Sequence, residues 1–330
     1  MATATTSNVS FRTNGQMVAE LLKRGIPFLT LEKFAQSKPL PDHSTKSLKF
    51  RRYTLSDTTT IKYLTEGVTP ASNTLVPTDI TLELSQIGDV VPITDVVNDT
   101  HEDNVFQECA DALGENGALM VERLRWGQVL TGTSIARANG TLRTDVNTTV
   151  SLNLQRKITR ALNRQYTRRI TRQVASTPNF ETHPVAASYV AITHTDLEND
   201  IRKMDGFVPV EKYGSISPYE GELGKVDDVR YILTPVVPIW ADGGGDKGTM
   251  VSTTGVKADV YPILYLGQNA YAISAFKGQY AIKMIIRQPD NPDSNDLLGQ
   301  TGSVGWKGYH GATILNDAWM CRAEVACSAL

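Results

Sequence analysis

Five arginines, Arg156, Arg160, Arg164, Arg168 and Arg172, recur at every fourth position of the chain. On a helix such a row keeps to one slowly drifting face. Guanidinium groups arrayed this way can neutralise nucleic-acid phosphates and release counterions. They can equally meet the acids of a neighbouring protein or face water. Only Tyr166 interleaves an aromatic ring, so stacking on single-stranded bases is not expected. The other chemistry-bearing groups form weaker patterns. The histidines are His43, His101, His183, His194 and His310, and none has the His-x-x-x-His spacing of a metal-binding helix. His194 lies two residues before Asp196, as a base and its orienting acid would, although a histidine ending a strand before a helix cap reads the same way. Asp95, Asp99, Glu102 and Asp103 cluster as hard-cation ligands do, but not at calcium-loop spacing, and a helix start explains them more simply. Gly299, Gly302 and Gly305 lack the strand-loop-helix setting of a phosphate loop and read as turns. The DGGGDKG run at 242–248 reads as a flexible loop. No Gly-x-Ser-x-Gly elbow is present, and Cys109, Cys321 and Cys327 fit no zinc or disulfide framework. They suit buried thiols in a reducing cytoplasm. No catalytic residue, cofactor or metal is expected.

The elements that would carry these residues belong to a folded protein. The 330 residues are 21% charged and 41% hydrophobic, a globular composition. No apolar run approaches a membrane span, and the first residues lack the basic-then-apolar pattern of a secretory signal. The net charge of −2 conceals segregation. Residues 1–78 carry ten Lys/Arg and five acids, and 79–115 carry ten acids without a single Lys or Arg. Residues 116–180 carry eleven Lys/Arg against Glu122 and Asp145, and 181–330 carry twelve against eighteen acids. Such blocks either neutralise one another within one fold or meet between copies, where complementary charge fixes register more than it adds affinity.

Along the chain, residues 1–15 read as a polar arm, followed by a short amphipathic helix carrying Met17, Val18, Leu21 and Leu22. Residues 48–97 look extended, with Ile80, Leu82 and Leu84 alternating. Between them the stretch LTEGVTPASNTLVP has few groups able to fill a core. A long polar-tipped excursion of this kind is expected to lie on a neighbouring molecule. Residues 101–131 read as the longest helix, with Phe106, Cys109, Leu113, Met120 and Leu124 as its stripe and Gly114 and Gly117 allowing close packing or a bend. Residues 151–174 read as a second helix, with Leu154, Ile158, Leu162 and Ile170 beside the arginine row. A mixed α/β region follows: a strand at SYVAIT, a helix capped at Thr195, then strands at VRYILTPVV, VYPILYL, AYAISAF and AIKMIIRQ. The last residues lean towards strand.

Four segments, FRRYTL at 50–55, LTEGVTP at 64–70, GELGKVDDVRYILTP at 221–235 and SVGWKGYHGATILNDAWM at 303–320, carry a family likeness. In this order, over about 270 residues, the sequence resembles the major capsid proteins of tailed phages, of the coliphage N-four type. The resemblance implies an α+β, Hong Kong 97-type capsid fold. Its parts would be an N-terminal arm (1–47), an extended β-loop (48–97) and a peripheral domain (98–180) with a spine helix at 101–131. An axial domain (181–290) and a C-terminal return to the peripheral domain (291–330) would complete it. It implies a non-enzymatic, self-assembling subunit of an icosahedral head, forming hexamers and pentamers around packaged double-stranded DNA. Portal, scaffolding and decoration proteins would be partners, no membrane would be involved, and assembly would occur in the host cytoplasm. Arg51, Arg52, Glu66 and the arginines at 156, 160, 164, 168 and 172 become candidate contacts to neighbouring subunits or DNA. Lys62 and Asn73 offer no basis for a crosslink. The competing expectation is a soluble α/β enzyme or binding protein acting as a monomer or dimer, which would not need the 64–77 excursion.

Overall fold

The computed structural model describes residues 29–40, 45–53, 61, 63–68, 75–100, 105–174, 182–214, 217–275, 282–289 and 296–330. The expected helix around Met17–Leu22, and Lys62, Asn73, Glu102 and Asp103, lie outside these residues. Fifteen strands are described: β1 (Gln36–Ser37), β2 (Ser47–Tyr53), β3 (Pro77–Glu83), β4 (Ser85–Thr94), β5 (Ile135–Arg137), β6 (Ile170–Val174), β7 (Thr182–Thr193), β8 (Phe207–Pro209), β9 (Glu222–Val226), β10 (Val229–Leu233), β11 (Val260–Leu266), β12 (Tyr271–Ala275), β13 (Ile282–Arg287), β14 (Thr301–Ile314) and β15 (Met320–Ala326). The described α-helices are α1 (Asp95–Thr100), α2 (Val105–Val129), α3 (Leu152–Arg164) and α4 (Glu198–Arg202).

β14 is the axis of a five-stranded sheet. Gly305 pairs with Ile285 of β13 and Val90 of β4, and His310 pairs with Ala275 of β12 and Ser85 of β4. β4 therefore fills one edge of β14, while β13 and β12 follow one another along the other. β1 adds in parallel outside β12. The second sheet runs β5-β15-β11-β7-β10-β9-β8, with β6 on the first part of β7. Its central strand β11 is buried along its whole length, so VYPILYL reads as a continuous apolar run rather than an alternation.

Helix α2 is shared by both sheets. Ala110, Leu113 and Val121 pack with Ile93, Met284, Val304 and Trp306 of the five-stranded sheet. Trp126 and Val129 pack with Val190, Ile192, Leu264 and Leu266 of the other. A Cβ at Gly117 would lie 3.0 Å from the Trp306 indole, which is why a glycine is needed there. The buried seam runs through Ala110, Leu113, Gly117, Val121 and Val129, whereas the expected stripe members Met120 and Leu124 are only half-buried.

Helix α3 starts at Ser151, whose Oγ accepts from the Leu154 N–H at 3.3 Å. It lays Leu154, Ile158 and Leu162 on the opposite face of the large sheet from α2, against Tyr189, Tyr231, Tyr265 and Ala323. The helix expected to reach 174 stops at Arg164. Tyr166 takes a left-handed φ of 53°, its N–H bonds to Asn163 O, and the Thr167 N–H bonds back to Leu162 O. Tertiary donors take the next carbonyls: Trp319 Nε1 donates to Gln165 O and Gln268 N to Arg168 O. Ile170 accordingly joins the apolar cluster on the other side of the sheet.

Three smaller expectations are also corrected. Gly302 and Gly305 lie within β14 and not in turns; a Cβ at Gly302 would sit 2.7 Å from Pro289 Cδ. The 242–248 loop is pinned, because buried Asp259 accepts from Asp242 N, Thr253 N and Thr253 Oγ1. The cap before α4 is His194, not Thr195: its Nδ1 accepts from Asp196 N at 3.2 Å.

Two buried carboxylates tie distant segments together. Glu324 is fully buried on β15 between Arg137 (3.1 Å), Arg143 (2.7 Å) and Arg322 (3.2 Å), and Arg143 stacks 3.7 Å over the Trp240 ring. Glu122 on α2 accepts from the N–H groups of Thr30 (3.1 Å) and Leu31 (2.8 Å). Around it, Arg125 reaches Glu32 at 3.0 Å, the Tyr271 hydroxyl donates to Leu31 O, and Leu31 and Phe34 enter the core. Residues 29–40, within the span expected as an arm, are thus built into their own subunit.

Replacing Glu122 with Ala strands two buried N–H groups, each costing about 1–3 kcal/mol. Glu122→Gln keeps an acceptor. Urea titration is expected to place E122A about 2–4 kcal/mol below wild type, with E122Q well above E122A.

Burial also sets a pH dependence. Neither ring nitrogen of His310 has a hydrogen-bond partner, and burial, helped by Arg125, pulls its pKa down to about 3. The unfolded chain then binds one more proton between about pH 6.5 and 3, so the His310 contribution to stability is complete above about 6.5 and is lost as pH falls. Glu122 has the opposite sign. Burial lifts its carboxyl above the glutamate range, against the pull of Arg125 and the two N–H donors, so its contribution is lost as pH rises. Between pH 6 and 5, unfolding free energies should lose up to about 1.4 kcal/mol per pH unit of positive slope in H310L relative to wild type. E122Q should move the slope in the other direction.

Candidate assembly surface

Strands β2 and β3 pair antiparallel from Ser47↔Glu83 to Tyr53↔Pro77, forming a ribbon separate from both sheets. Its base is seated on the outer face of β14. Leu82, Leu84 and Leu40 are buried there, with Leu48, Phe50 and Tyr309 packed around them. The seat requires Gly311, because a Cβ at that position would lie 2.6 Å from Glu83 O. Midway along the ribbon, Arg51 forms a two-pronged pair with Asp79, at 2.8 and 3.0 Å, directly across the ladder. This contact depresses the Asp79 carboxyl and raises the guanidinium, but the pair is exposed and aligns the strands more than it stabilises them. Arg52 lies 5.1 Å over the Trp319 ring, so this part of the ribbon rests on its own body.

Beyond Tyr53 the described residues are open to solvent. Ile61, Tyr63, Leu64, Val68, Leu75 and Val76 are between 58% and 87% exposed. Glu66 stands beside the tip turn, where Gly67 has a φ of +76° and Val68 N bonds to Thr65 O. A contiguous stretch of exposed large apolar groups marks an interaction surface rather than a scatter of surface residues.

The arginine row is divided by the fold. Arg156, Arg160 and Arg164 lie along exposed α3, and Arg156 is paired with Asp227 at 2.9 Å. Arg168 is exposed in the segment after the helix, and Arg172 is in β6 opposite Pro184. Arg52 and the end of α3 share Trp319, since Arg52 lies over its ring and the Trp319 Nε1 donates to Gln165 O.

A groove of about 630 Å³ lies between α2 and the 235–239 loop, lined by Leu119, Arg123, Gly127, His194 and Pro235 to Ile239. Its titratable groups are Arg123 and His194. The His194 Nδ1 accepts from the Asp196 N–H at 3.2 Å and lies 3.3 Å from the Asp196 carboxylate, which also accepts from the Tyr261 hydroxyl at 2.9 Å. Among the described residues, no group of three or more His, Cys, Asp and Glu is placed to hold a metal ion.

Sequence reasoning did not identify Glu122 as the anchor of residues 30 and 31. A signal was present, because Glu122 and Asp145 are the two acids within the basic block 116–180. Both serve as acceptors for backbone N–H groups; Asp145 takes those of Thr141 and Leu142.

This body, with its outward ribbon, has relatives among solved structures. The capsid of Ralstonia phage GP4 is similar with a TM-score of 0.65 at 13% identity, covering 90% of this chain and 88% of that one. The head of Helicobacter pylori bacteriophage KHP40 gives 0.60 at 12% identity over 92% and 90%. The Cyanophage Pam1 capsid gives 0.57 at 12% over 93% of each. No curated protein matches the sequence. The fold is therefore that of phage-shell subunits. The model of a family described as phage capsid protein matches residues 78–323. The chain belongs to that family and is a structural subunit of a phage capsid.

The ribbon seat can be probed at Gly311. Gly311→Ala is expected to push the Glu83 end of β3 off β14, costing about 1–3 kcal/mol by urea unfolding. An unchanged midpoint would mean that the ribbon base tolerates displacement.

Proposed function

We propose that this chain is the shell-building subunit of a tailed-phage head. Copies gather as hexamers and pentamers into an icosahedral container around double-stranded DNA, and no reaction is catalysed. The observation that carries this reading is the apolar tip of the ribbon, which its own subunit leaves in water. Covering each such side chain fully is worth about 1.5–3 kcal/mol. A neighbouring copy, present at every position of a closed lattice, is the natural cover. Arg51 and Asp79 hold the two strands in register so that the tip reaches that neighbour. Glu66 and Arg52 become charges at or near the contact.

In this reading α2 is the spine of the peripheral domain (98–180). Strands β7 to β11 belong to an axial domain nearer the capsomer centre. The return of β14 and β15 to α2 closes the peripheral domain. Portal and scaffolding proteins, with a decoration protein as a further partner, act on the assembled surface rather than in a pocket. The protein assembles in the host cytoplasm and ends in the virion.

Expression of the chain alone, followed by size exclusion and negative-stain microscopy, is expected to give capsomers, sheets or shells. A monodisperse monomer that turns over a substrate would reject the proposal. The combined substitution Tyr63→Ser, Leu64→Ser and Leu75→Ser should leave the far-ultraviolet circular dichroism and thermal midpoint near wild type while removing the assembled species. Loss of folding instead would show that the tip belongs to the core.

A further inference from the structure

We propose that the solvent face of α3, continued by Arg168, binds the phosphate backbone of duplex DNA. The capsid reading supplies the ligand, and the surface supplies the rest. Lys157, Arg160, Arg164 and Arg168 are all exposed, and none has an acidic partner among the described residues. The cations that flank them are already committed. Arg156 pairs with Asp227, and Arg169 pairs with Asp228 while lying over the Tyr189 ring. The two acids nearest the face are thereby neutralised, leaving four cations.

The composition of the face separates a phosphate ligand from a protein one. Protein interfaces have a desolvated centre depleted in charge and enriched in apolar anchors. The apolar residues of α3 that could supply anchors, Leu154, Ile158 and Leu162, are all buried beneath it. What remains outside is Lys157, Arg160, Ala161, Arg164, Gln165, Tyr166 and Arg168, a donor-rich surface with no aliphatic centre. Tyr166 is 87% exposed. Nucleic-acid interfaces are polar and cationic in this way, and contacts to phosphate carry no sequence preference. The ribbon tip has the reverse composition and suits a protein partner.

The dimensions also agree. From Lys157 to Arg164 the helix rises about 10 Å. Duplex DNA carries one charge per roughly 1.7 Å of axis, so about six phosphates lie within that length. Four cations can each meet one without crowding. Arg168 follows the break at Tyr166, four residues past the end of α3, and is exposed.

The test uses the full chain and a short mixed-sequence duplex, with binding followed by fluorescence anisotropy between 50 and 200 mM NaCl. Four phosphate contacts predict a log–log slope near −3.6, a loss of about 100-fold in affinity over that range. The quadruple variant K157Q/R160Q/R164Q/R168Q should weaken binding at least tenfold at 50 mM and bring the slope about three closer to zero. Arg160, Arg164 and Arg168 replaced together by Lys should retain most of the slope, because a point charge suffices. A charge-matched control, with Lys247, Lys257, Lys283 and Lys307 changed to Gln, should not reproduce the quadruple effect. An unchanged slope in the quadruple variant would overturn the proposal. So would loss of shells in that variant with DNA binding intact, which would assign the face to a neighbouring subunit. Salt-dependent binding that the quadruple substitution removes, from a chain that forms no shells, would sustain this inference and overturn the proposed self-assembly through the ribbon tip.

Discussion

Two sheets share one helix, and the rest of the architecture follows from that constraint. The first half of α2 must lie close enough to β14 for Trp306 to cover Gly117, while Trp126 and Val129 must reach the apolar face of β7 and β11. A helix with two partners has little room for error along its length. Small residues at 110, 117 and 118 let the backbone approach one sheet, and a tryptophan spans the wider gap to the other. Residues 29–34 are then held along the same helix by Glu122, so that Leu31 and Phe34 fill the remaining space. The polar cluster buried there, Glu122, Arg125, Glu32 and His310, lies on this shared packing layer. Its satisfied members stabilise the junction and its unpartnered ones make the junction sensitive to protonation.

With the inner face of β14 occupied by α2, the outer face is what remains to receive the ribbon. Glycine at 311 lets the ribbon base settle there, and Leu82 and Leu84 alternate onto it from the end of β3. The energy of the seat is spent within four or five residues of the base. Farther out, Arg52 lies over Trp319, and the described residues beyond Tyr53 are exposed, large apolar groups among them.

Much of this was legible in the sequence, for identifiable reasons. The alternation of Ile80, Leu82 and Leu84 gave β3 and its buried side, whereas the stretch 64–77, read as polar-tipped, carries Leu64, Val68, Leu75 and Val76 in the open. The apolar run VYPILYL gave a fully buried strand. The limits are as specific. Nothing local stops α3 at Arg164, since RQYTRR contains no glycine or proline; the stop comes from Trp319 and Gln268 taking carbonyls that a longer helix would use. Gly302 and Gly305 of β14 read as turns because what they make room for, Pro289 and the Asp89–Val90 segment of β4, is brought near only by the register of the sheet. Of the stripe expected on α2, Leu113 is buried and Cys109 and Met120 pack beside it, while the deeper seam passes through Ala110, Gly117 and Val121 because two sheets, not one, decide which residues the helix buries. Among the candidate charges, Arg51 could be anticipated in an extended segment, whereas its partner Asp79, 28 residues away, is fixed only by the register of the ribbon.

The segregation of charge along the chain acquires a physical sense from the fold. The acid-rich stretch 79–115 contributes most of β3, β4, α1 and the start of α2, while the basic stretch 116–180 contributes the end of α2, the half-buried Arg137 and Arg143 beside Glu324, and α3. Within the basic stretch the arginines take two separate positions. Arg137 and Arg143, with Arg322 from β15, converge on a carboxylate that would be untenable alone in the interior, where an unpaired charge costs several kcal/mol. On α3, Arg156 meets Asp227, while Arg160 and Arg164 face water with no acid partner among the described residues. Pairing therefore accounts for one part of the positive charge and leaves the other unexplained by folding. Surface arginines that contribute nothing to their own fold carry a cost only when another like-charged surface approaches, and none when the approaching surface is anionic. The basic face and the exposed apolar groups of the ribbon thus differ in composition, one donor-rich with its aliphatic side chains buried beneath it, the other carrying Tyr63, Leu64 and Leu75 in the open.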